Sequence, residues 1–183
     1  MGSVGLRQLE VRDEETLTEL IRRNRKFLYG WMPTGDSSDE ENAAWVRDLV
    51  AGRGGADNWF GLVELAGQAV GALSMRLQRG IASSAVIGYW VAEEVNGKGV
   101  ATEAIGQCLD MAFWKMGLHR VDAFVREDNI GSCRALEKNG FHRVGLSRGH
   151  LHIAGRWWDM VYFQKLAPWA DGVRLAPPTT RSS

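Results

Sequence analysis

The chain has 183 residues, of which 45% are hydrophobic and 24% are charged, so its length and composition are those of one globular domain. Its 22 basic and 22 acidic side chains balance, which argues against the positive field of a non-specific nucleic-acid-binding protein. No apolar run reaches the ~20 residues that span a bilayer, and the N-terminal segment lacks the apolar stretch of a secretion signal, so no membrane association is expected. The two cysteines, Cys108 and Cys133, occupy apolar helix positions rather than a disulfide framework, which favours a cytoplasmic location.

The first half of the chain predicts one strand, two helices and three further strands. Asp13 is a typical N-cap and two glutamates follow it, whereas Gly30 and Pro33 interrupt the helical pattern. Gly67 and Gln68 suit a tight hairpin turn. The predicted elements are a strand at 6–11, helices from 13 to about 29 and from 39 to 51, and strands at 59–65, 69–77 and 85–91.

The second half predicts alternating helices and strands. An apolar stripe at i, i+3 and i+4 indicates a long helix that Gly117 ends. The predicted elements are helices at 100–116 and 130–139 and strands at 120–126, 141–146 and 157–166. We expect an α/β (α+β) fold over residues 1–166 with a mixed sheet, and a right-handed crossover that makes strands 85–91 and 120–126 parallel. Residues 167–183 are expected to be a disordered tail.

A glycine-rich segment, Asn96-Gly97-Lys98-Gly99, opens the long helix. Two glycines let the backbone approach a ligand closely, and the free N–H groups and dipole of a helix start suit a phosphate. The segment is not a P-loop, because Lys98 is followed by Gly99, and it is not a dinucleotide fingerprint, because Thr102 occupies the third glycine position. Two interpretations of the segment remain open at this point: a coenzyme A site and a glycine-rich turn that binds no ligand.

Several spaced motifs occur in a consistent order over residues 6–166. They are IGYWV at 87–91, NGKGVATEA at 96–104, GLHRV at 117–121, EDNIGS at 127–132, LEKNGF at 136–141 and GRWWD at 155–159, preceded by Asn24-Arg25 and Trp31-Met32-Pro33. Together they resemble the GNAT superfamily of N-acetyltransferases, and in particular its RimJ/RimL-type branch, which acts on ribosomal proteins. The glycine-rich loop differs at its first position, where the family usually has Gln or Arg and this chain has Asn96.

The resemblance implies a GNAT fold with a mixed, mostly antiparallel sheet of about seven strands flanked by about four helices. Strands 85–91 and 120–126 would splay apart, and the pantetheine arm of acetyl-CoA would lie between them like an added strand. The residues implied for acetyl-CoA binding are Trp90, Val91, Ala92, Gly97, Lys98, Gly99, Val100, Ala101, Thr102, Asn129 and Ser132. No metal is expected, because His150 and His152 have no further ligands at metal-binding spacing.

The resemblance also implies that Ser132 protonates the departing thiolate, while Asn129 suits the N-cap of helix 130–139. The base stays open, since the glutamate that the family often carries corresponds to Leu151 here. Candidate bases are Asp159, His150, His152, Glu93 and Glu94. The sequence thus predicts a weak base, and this favours an α-amine as the acceptor. An α-amine has a pKa of ~7.7–8.0 and is partly neutral at pH 7, whereas a lysine amine at ~10.4 must be deprotonated.

The acceptor is expected to bind along the first two helices. Candidate substrate-binding residues are Asn24, Arg25, Trp31, Tyr89, His150 and His152, with Trp45 nearby. Most of the eight tryptophans suit core packing or a homodimer interface. The predicted function is acetyl transfer from acetyl-CoA to an α-amine, on a peptide or ribosomal-protein N-terminus or on a small amino compound. Two alternatives stay open: acetylation of a small amine such as an antibiotic, and a non-catalytic acyl-CoA-binding regulatory module.

Overall fold

Seven strands form one sheet in the computed structural model, which describes residues 2–169 of the chain. The strands are β1 (Val4–Gln8), β2 (Asn58–Leu65), β3 (Gln68–Gln78), β4 (Ser84–Val91), β5 (Arg120–Val125), β6 (His142–Ile153) and β7 (Arg156–Leu166). The helices are α1 (Glu14–Leu28), α2 (Pro33–Asp36), α3 (Asp39–Val50), α4 (Val100–Asp110) and α5 (Ile130–Lys138). The sheet order is β1-β2-β3-β4-β5-β7-β6, and every neighbouring pair is antiparallel except β4 with β5. The predicted mixed, mostly antiparallel sheet is therefore confirmed.

The first strand ends earlier than predicted. Val11–Asp13 form a single 3-10 turn instead of extending β1. The Asp13 carboxylate accepts hydrogen bonds from the Glu10 N–H (2.8 Å) and from the Arg7 guanidinium (2.7 Å). These local bonds turn the chain towards α1, which begins at Glu14 as the N-cap pattern indicated.

Two helical segments also differ from the predicted bounds. The helix predicted at 100–116 is α-helical only through Asp110 and continues as a π-helical turn over Met111–Lys115. The short helix α2 occupies a segment whose Gly30 and Pro33 were interpreted only as helix breakers. Proline at the first position of α2 is compatible with a new helix, because that position needs no N–H donor.

Strand β6 is longer than predicted and forms an irregular hairpin with β7. Its register shifts between Ser147 and Leu151, where Gly149 has a positive φ of 53° and donates its N–H to Asp159 Oδ1 at 2.8 Å. Because this irregularity breaks the alternation of a regular strand, the pattern beyond residue 146 did not predict one.

Strands β4 and β5 run parallel for four residues and then separate. Ser84–Ile87 pairs with Arg120–Ala123, whereas the last four residues of β4 have no partner on that side. Strand β5 stays paired with β7 along its whole length, from Arg120 to Val125. The predicted splay between these strands is therefore present, and it opens a gap in the middle of the sheet.

The core lies between the sheet and the helices α1 and α4. Cys108 and Cys133 are both free and buried, as their apolar helix positions predicted. Packing continues past residue 166, because the Trp169 ring is buried against Phe113 and Trp114. The rest of the expected tail, 170–183, lies outside the described residues. Among residues 2–169, no helix has the length and apolar character needed to cross a membrane.

Gly71 of β3 lies where this strand passes close to β4. A Cβ at this position would lie 2.3 Å from the Trp90 carbonyl oxygen, whereas a Cβ on Gly5 of β1 would make an ordinary 3.7 Å contact with Glu64. We expect Gly71→Ala to lower the free energy of unfolding by roughly 1–3 kcal/mol. Gly5→Ala should change it by less than ~0.5 kcal/mol. Denaturant unfolding measures both, and equal stabilities would contradict a tight β3–β4 approach at Trp90.

Candidate functional site

Two cavities open from the gap between β4 and β5. The helix cavity, of about 390 Å³, is lined mainly by the starts of α4 and α5 and the end of β4. The sheet cavity, of about 450 Å³, is lined mainly by β3, β4, β5 and β6. The residues that line both are Trp31, Met32, Tyr89, Asn129 and Ser132. Two molecules entering from opposite sides would therefore meet beside these shared residues.

The glycine-rich loop forms one wall of the helix cavity. Gly97 and Gly99 have φ values of 73° and 81°, a left-handed conformation that glycine adopts without steric cost. Gly99 is the N-cap of α4, and no side chain caps this helix, so its first N–H groups are available to a ligand. The Asn96 side chain accepts from the Gly97 N–H at 3.0 Å and thus shapes the turn. This geometry suits a phosphate.

Helix α5 supplies two cations to the helix cavity that the sequence analysis did not identify. Arg134 and Lys138 both line it, four residues apart on one helix face. Helical spacing could have identified them in the sequence. Arg134 and Lys138 follow Gly131 by three and seven residues, so all three lie on the same face of α5. Asn139 Nδ2 donates to the Thr102 carbonyl at 2.9 Å and so joins α5 to α4.

Most of the residues predicted to bind the acyl donor line the helix cavity. They are Trp90, Val91, Gly97, Gly99, Val100, Ala101, Thr102, Asn129 and Ser132. Lys98 and Ala92 are not among the lining residues. The Ala92 N–H is instead used within the sheet, where it donates to the Val70 carbonyl at 2.7 Å.

A tyrosine and a serine are hydrogen-bonded where the two cavities meet. Tyr89 OH lies 2.7 Å from Ser132 Oγ, and the Asn129 side chain accepts from the Ser132 N–H at 3.1 Å. This second bond is the predicted N-cap of α5. Burial raises the pKa of Tyr89, so its phenol stays protonated at neutral pH. The pair therefore offers a hydroxyl hydrogen-bond donor to an atom placed between the two cavities.

His150 lines the sheet cavity and is fixed by two contacts. Its ring stacks on Phe124 at 4.1 Å between centroids, and its Nδ1 lies 2.9 Å from Ser147 Oγ. Burial lowers the pKa of His150, and the positive charge of Arg76 lowers it further. The imidazole is therefore neutral at pH 7 and able to accept a proton. Leu151, which the resemblance matched to the family's glutamate, also lines this cavity.

Trp31, a predicted acceptor-binding residue, borders both cavities within a stack of aromatic and cationic groups. The Arg126 guanidinium carbon lies 4.4 Å from the centroid of the Trp31 ring and 3.3 Å from that of Trp158. Arg126 also donates to the Gly30 carbonyl and pairs with Asp128. The stack holds the segment after α1 against the sheet.

Two residues predicted to bind the acceptor through α1 lie outside both cavities. Asn24 is buried, with Nδ2 donating to the Leu20 carbonyl (2.9 Å) and Oδ1 accepting from the Glu93 N–H (3.0 Å). It therefore fixes α1 to the segment that precedes the glycine-rich loop. Arg25 forms a 3.2 Å ion pair with Asp39.

Several candidate bases also lie away from the shared residues. The Asp159 carboxylate accepts from the Gly149 N–H, and His152 makes an edge contact with Trp157 at 5.4 Å between centroids. Neither these two residues nor Glu93 or Glu94 line either cavity. Trp45 lines a third, apolar cavity of about 350 Å³ between α1, α3 and the sheet.

Residues 3–142 match the family model of the GNAT acetyltransferase domain. The chain belongs to the GNAT acetyltransferase family. It is 43% identical over 91 residues to the probable N-acetyltransferase YjcK of Bacillus subtilis, a match that covers 49% of this chain and only 50% of YjcK. It is 26% identical over 174 residues to the ribosomal protein uS5-alanine N-acetyltransferase of Escherichia coli, covering 91% of this chain and 90% of that protein.

Solved structures confirm the GNAT fold. The structure of Mycobacterium smegmatis RimJ in complex with CoA-disulfide is 31% identical and superposes with a TM-score of 0.83, covering 91% of this chain and 83% of that one. The family model, the relatives and the fold agree: the chain is an acetyl-CoA-dependent N-acetyltransferase of the GNAT type, and its structural neighbours are RimJ/RimL-like. The predicted family and fold are thus confirmed.

The two cations on α5 predict a salt-dependent contribution to acetyl-CoA binding. Arg134→Gln and Lys138→Gln should each raise the Kd for acetyl-CoA about 3- to 10-fold at low salt, because each removes a charge-assisted contact to phosphate. Lys26→Gln, on the exposed side of α1, is the matched control and should leave Kd unchanged. Calorimetric titration at two salt concentrations measures the effect. Unchanged Kd values in both α5 variants would place the phosphates elsewhere.

Proposed function

We propose that this protein transfers the acetyl group of acetyl-CoA to a primary α-amine by direct attack in a ternary complex. The observation that carries the proposal is the Tyr89–Ser132 hydrogen bond at the boundary of the two cavities. A thioester extending through the helix cavity and an amine entering through the sheet cavity would come together beside this pair. The reacting groups would then be held in one orientation, which supplies much of the rate enhancement.

The acyl donor would bind to backbone as much as to side chains. The open edge of β4, beyond Ile87, offers unpaired peptide groups along which the pantetheine arm would lie like an added strand. The pyrophosphate would contact the N–H groups at the start of α4, and Arg134 and Lys138 would balance the remaining phosphate charge. The RimJ structure with bound CoA-disulfide supports a CoA molecule in this fold.

The reaction breaks the thioester C–S bond and forms an amide. The amine nitrogen attacks the thioester carbonyl carbon, and the tetrahedral intermediate then expels the thiolate of CoA. Ser132 Oγ would give its proton to that sulfur while the Tyr89 phenol donates a hydrogen bond to Oγ, and water would return a proton to Ser132 after the thiol has left. A thiol has a pKa of ~8.5, so this proton contributes only modestly to the rate.

His150 is the proposed acceptor of the proton that the amine loses. It is the one member of the predicted set of bases whose side chain lines the sheet cavity. Its lowered pKa keeps it neutral, but also makes it a weak base. Such a base suits an amine that is already partly deprotonated at neutral pH. An α-amine meets this requirement and a lysine side chain does not.

The name of one relative supports the same acceptor class. The Escherichia coli protein is a ribosomal protein uS5-alanine N-acetyltransferase, and an alanine residue has no amine other than its α-amine. For the present chain we infer an acceptor with a free N-terminus or a small amino compound that presents an equivalent group.

Tyr89 and Ser132 should act as one unit in turnover. Ser132→Ala and Tyr89→Phe should each lower kcat roughly 10- to 100-fold, because each interrupts proton delivery to the thiolate. Neither variant should raise the Kd for acetyl-CoA by more than about threefold. The double variant should lose little more than either single variant, since the two hydroxyls share one path. The measurement is thiol release from acetyl-CoA with an Ala-initiated peptide, combined with calorimetric Kd values.

Additive losses in the double variant would contradict a shared proton path. Wild-type turnover in Ser132→Ala would remove this serine from the mechanism. If wild-type protein binds acetyl-CoA but acetylates no amine across peptides and small compounds, the regulatory alternative applies and the proposed activity fails.

The pH dependence of the rate should identify the amine and the base. We expect kcat/KM for an Ala-initiated peptide to rise with pH through ~7.7–8.0, the pKa of its α-amine, because only the neutral amine attacks. His150→Gln should lower kcat at least about tenfold, because no cavity-lining base remains. His152→Gln is the matched control and should keep wild-type kcat, since His152 lies outside the cavity.

Mass spectrometry of the products then locates the acetyl group. Preferred modification of a lysine side chain in an N-terminally blocked peptide would contradict the α-amine assignment. Equal kcat values in His150→Gln and His152→Gln would mean that solvent removes the proton.

A further inference from the structure

The sheet cavity carries positive charge and no negative charge. The ionisable side chains that line it are Arg76, Arg126, His150 and Tyr89, and burial keeps the Tyr89 phenol neutral by raising its pKa. The lining includes no aspartate or glutamate among the described residues. His150 is neutral at pH 7 because burial and the neighbouring arginine lower its pKa. Any charge preference of the cavity therefore comes from the two arginines.

Arg126 is already engaged within the protein. It pairs with Asp128, donates to the Gly30 carbonyl and lies against the rings of Trp31 and Trp158. Asp128 compensates its charge and each of its three guanidinium nitrogens already donates a hydrogen bond, so it acts mainly as a structural element of the cavity wall.

Arg76 is in the opposite situation. It lies on β3, paired across the sheet with Asn58 on one side and Val86 on the other, and the cavity-facing side of β3 also presents Ser74. Within residues 2–169 no hydrogen bond or ion pair to its guanidinium is present. Arg79, three residues later, pairs with Asp57 at 2.9 Å, which shows that a nearby arginine does find a carboxylate. Arg76 thus presents its donors to whatever occupies the cavity.

We infer that the acceptor amine carries an anionic group close to its reacting nitrogen, and that Arg76 binds this group. The inference rests on the proposed function, because it defines the acceptor of the same site. A guanidinium binds a carboxylate through two parallel hydrogen bonds and so fixes orientation as well as charge. The two sources of such a group are an acidic side chain next to a peptide N-terminus and the carboxylate of a small amino compound.

The same charges disfavour polycationic acceptors. Polyamines and aminoglycosides keep several ammonium groups at neutral pH, and the cavity offers them no carboxylate partner. The uncompensated charge of Arg76 repels these polycations and attracts an anionic acceptor, so it contributes to specificity in both ways. We therefore expect polyamines and aminoglycosides to be poor acceptors.

The test compares acceptors that differ in one charge. Three amidated tripeptides, Ala-Glu-Ala, Ala-Gln-Ala and Ala-Lys-Ala, have the same reacting group, and the α-amides of glutamate and glutamine form the matching single-residue pair. With wild-type protein we expect kcat/KM to be about tenfold higher for the Glu acceptor than for the Gln acceptor, and lowest for the Lys acceptor. If only the tripeptides show the higher kcat/KM for Glu over Gln, the acceptor is a peptide. If the single-residue pair shows it too, small amino compounds are also acceptors.

Arg76→Gln provides the decisive comparison. It should abolish the preference for Glu over Gln, mainly by raising KM for the Glu acceptor. Because Arg76 also acts on the pKa of His150, the quantity compared is the ratio of kcat/KM for Ala-Glu-Ala to that for Ala-Gln-Ala within each variant. Arg79→Gln is the matched control, since it removes an exposed arginine of the same segment that is not part of the cavity lining. The preference should survive in this variant.

Two outcomes would overturn the inference, and they differ from failure of the proposed function. Equal kcat/KM for all three tripeptides with wild-type protein, or an undiminished Glu preference in Arg76→Gln, would mean that Arg76 binds no acceptor group. A complete absence of acetylation for every acceptor would instead contradict the proposed transfer reaction itself.

Discussion

The separation of β4 from β5 is the constraint on which the rest of the site depends. Pairing ends at Ile87 and Ala123 because β5 stays with β7 while β4 stays with β3. The gap leaves peptide groups unpaired on one edge and allows the two cavities to approach each other. It also brings the starts of α4 and α5 to the same opening. A continuous sheet with the same residues would have neither an edge for a ligand nor a meeting point for two.

The parts of the site that sequence predicted are those fixed by local backbone chemistry. A glycine pair at a helix start, such as Gly97 and Gly99, needs its left-handed conformation whatever surrounds it, so the loop was recognisable. Asn129 was predicted as an N-cap for the same reason, and Ser132 followed from the resemblance to the family. The order of the strands and of the longer helices was also predicted correctly, since strand and helix periodicities are clear over most of the chain. The splay between β4 and β5 followed from the resemblance to the family.

The parts that sequence missed depend on long-range packing. Asn24 has the same polarity as a ligand-binding residue, but its amide N and O are hydrogen-bonded to Leu20 and Glu93, which only the folded chain reveals. The irregular register of β6 decides that His150 lines the cavity whereas Asp159 binds the backbone of Gly149. A one-residue change of register reverses the face on which a side chain lies, so this choice could not be read from spacing.

The stack of Trp31, Arg126 and Trp158 joins segments that leave the ribosome at very different times. All residues that line the helix cavity lie between positions 27 and 138, whereas the sheet cavity also needs His150, Leu151 and Met160. Because a chain is synthesised from its N-terminus, every residue that lines the helix cavity is synthesised before the last three residues that line the sheet cavity. The contact between Arg126 and Trp158 therefore joins the last hairpin to a strand end that was synthesised about thirty residues earlier.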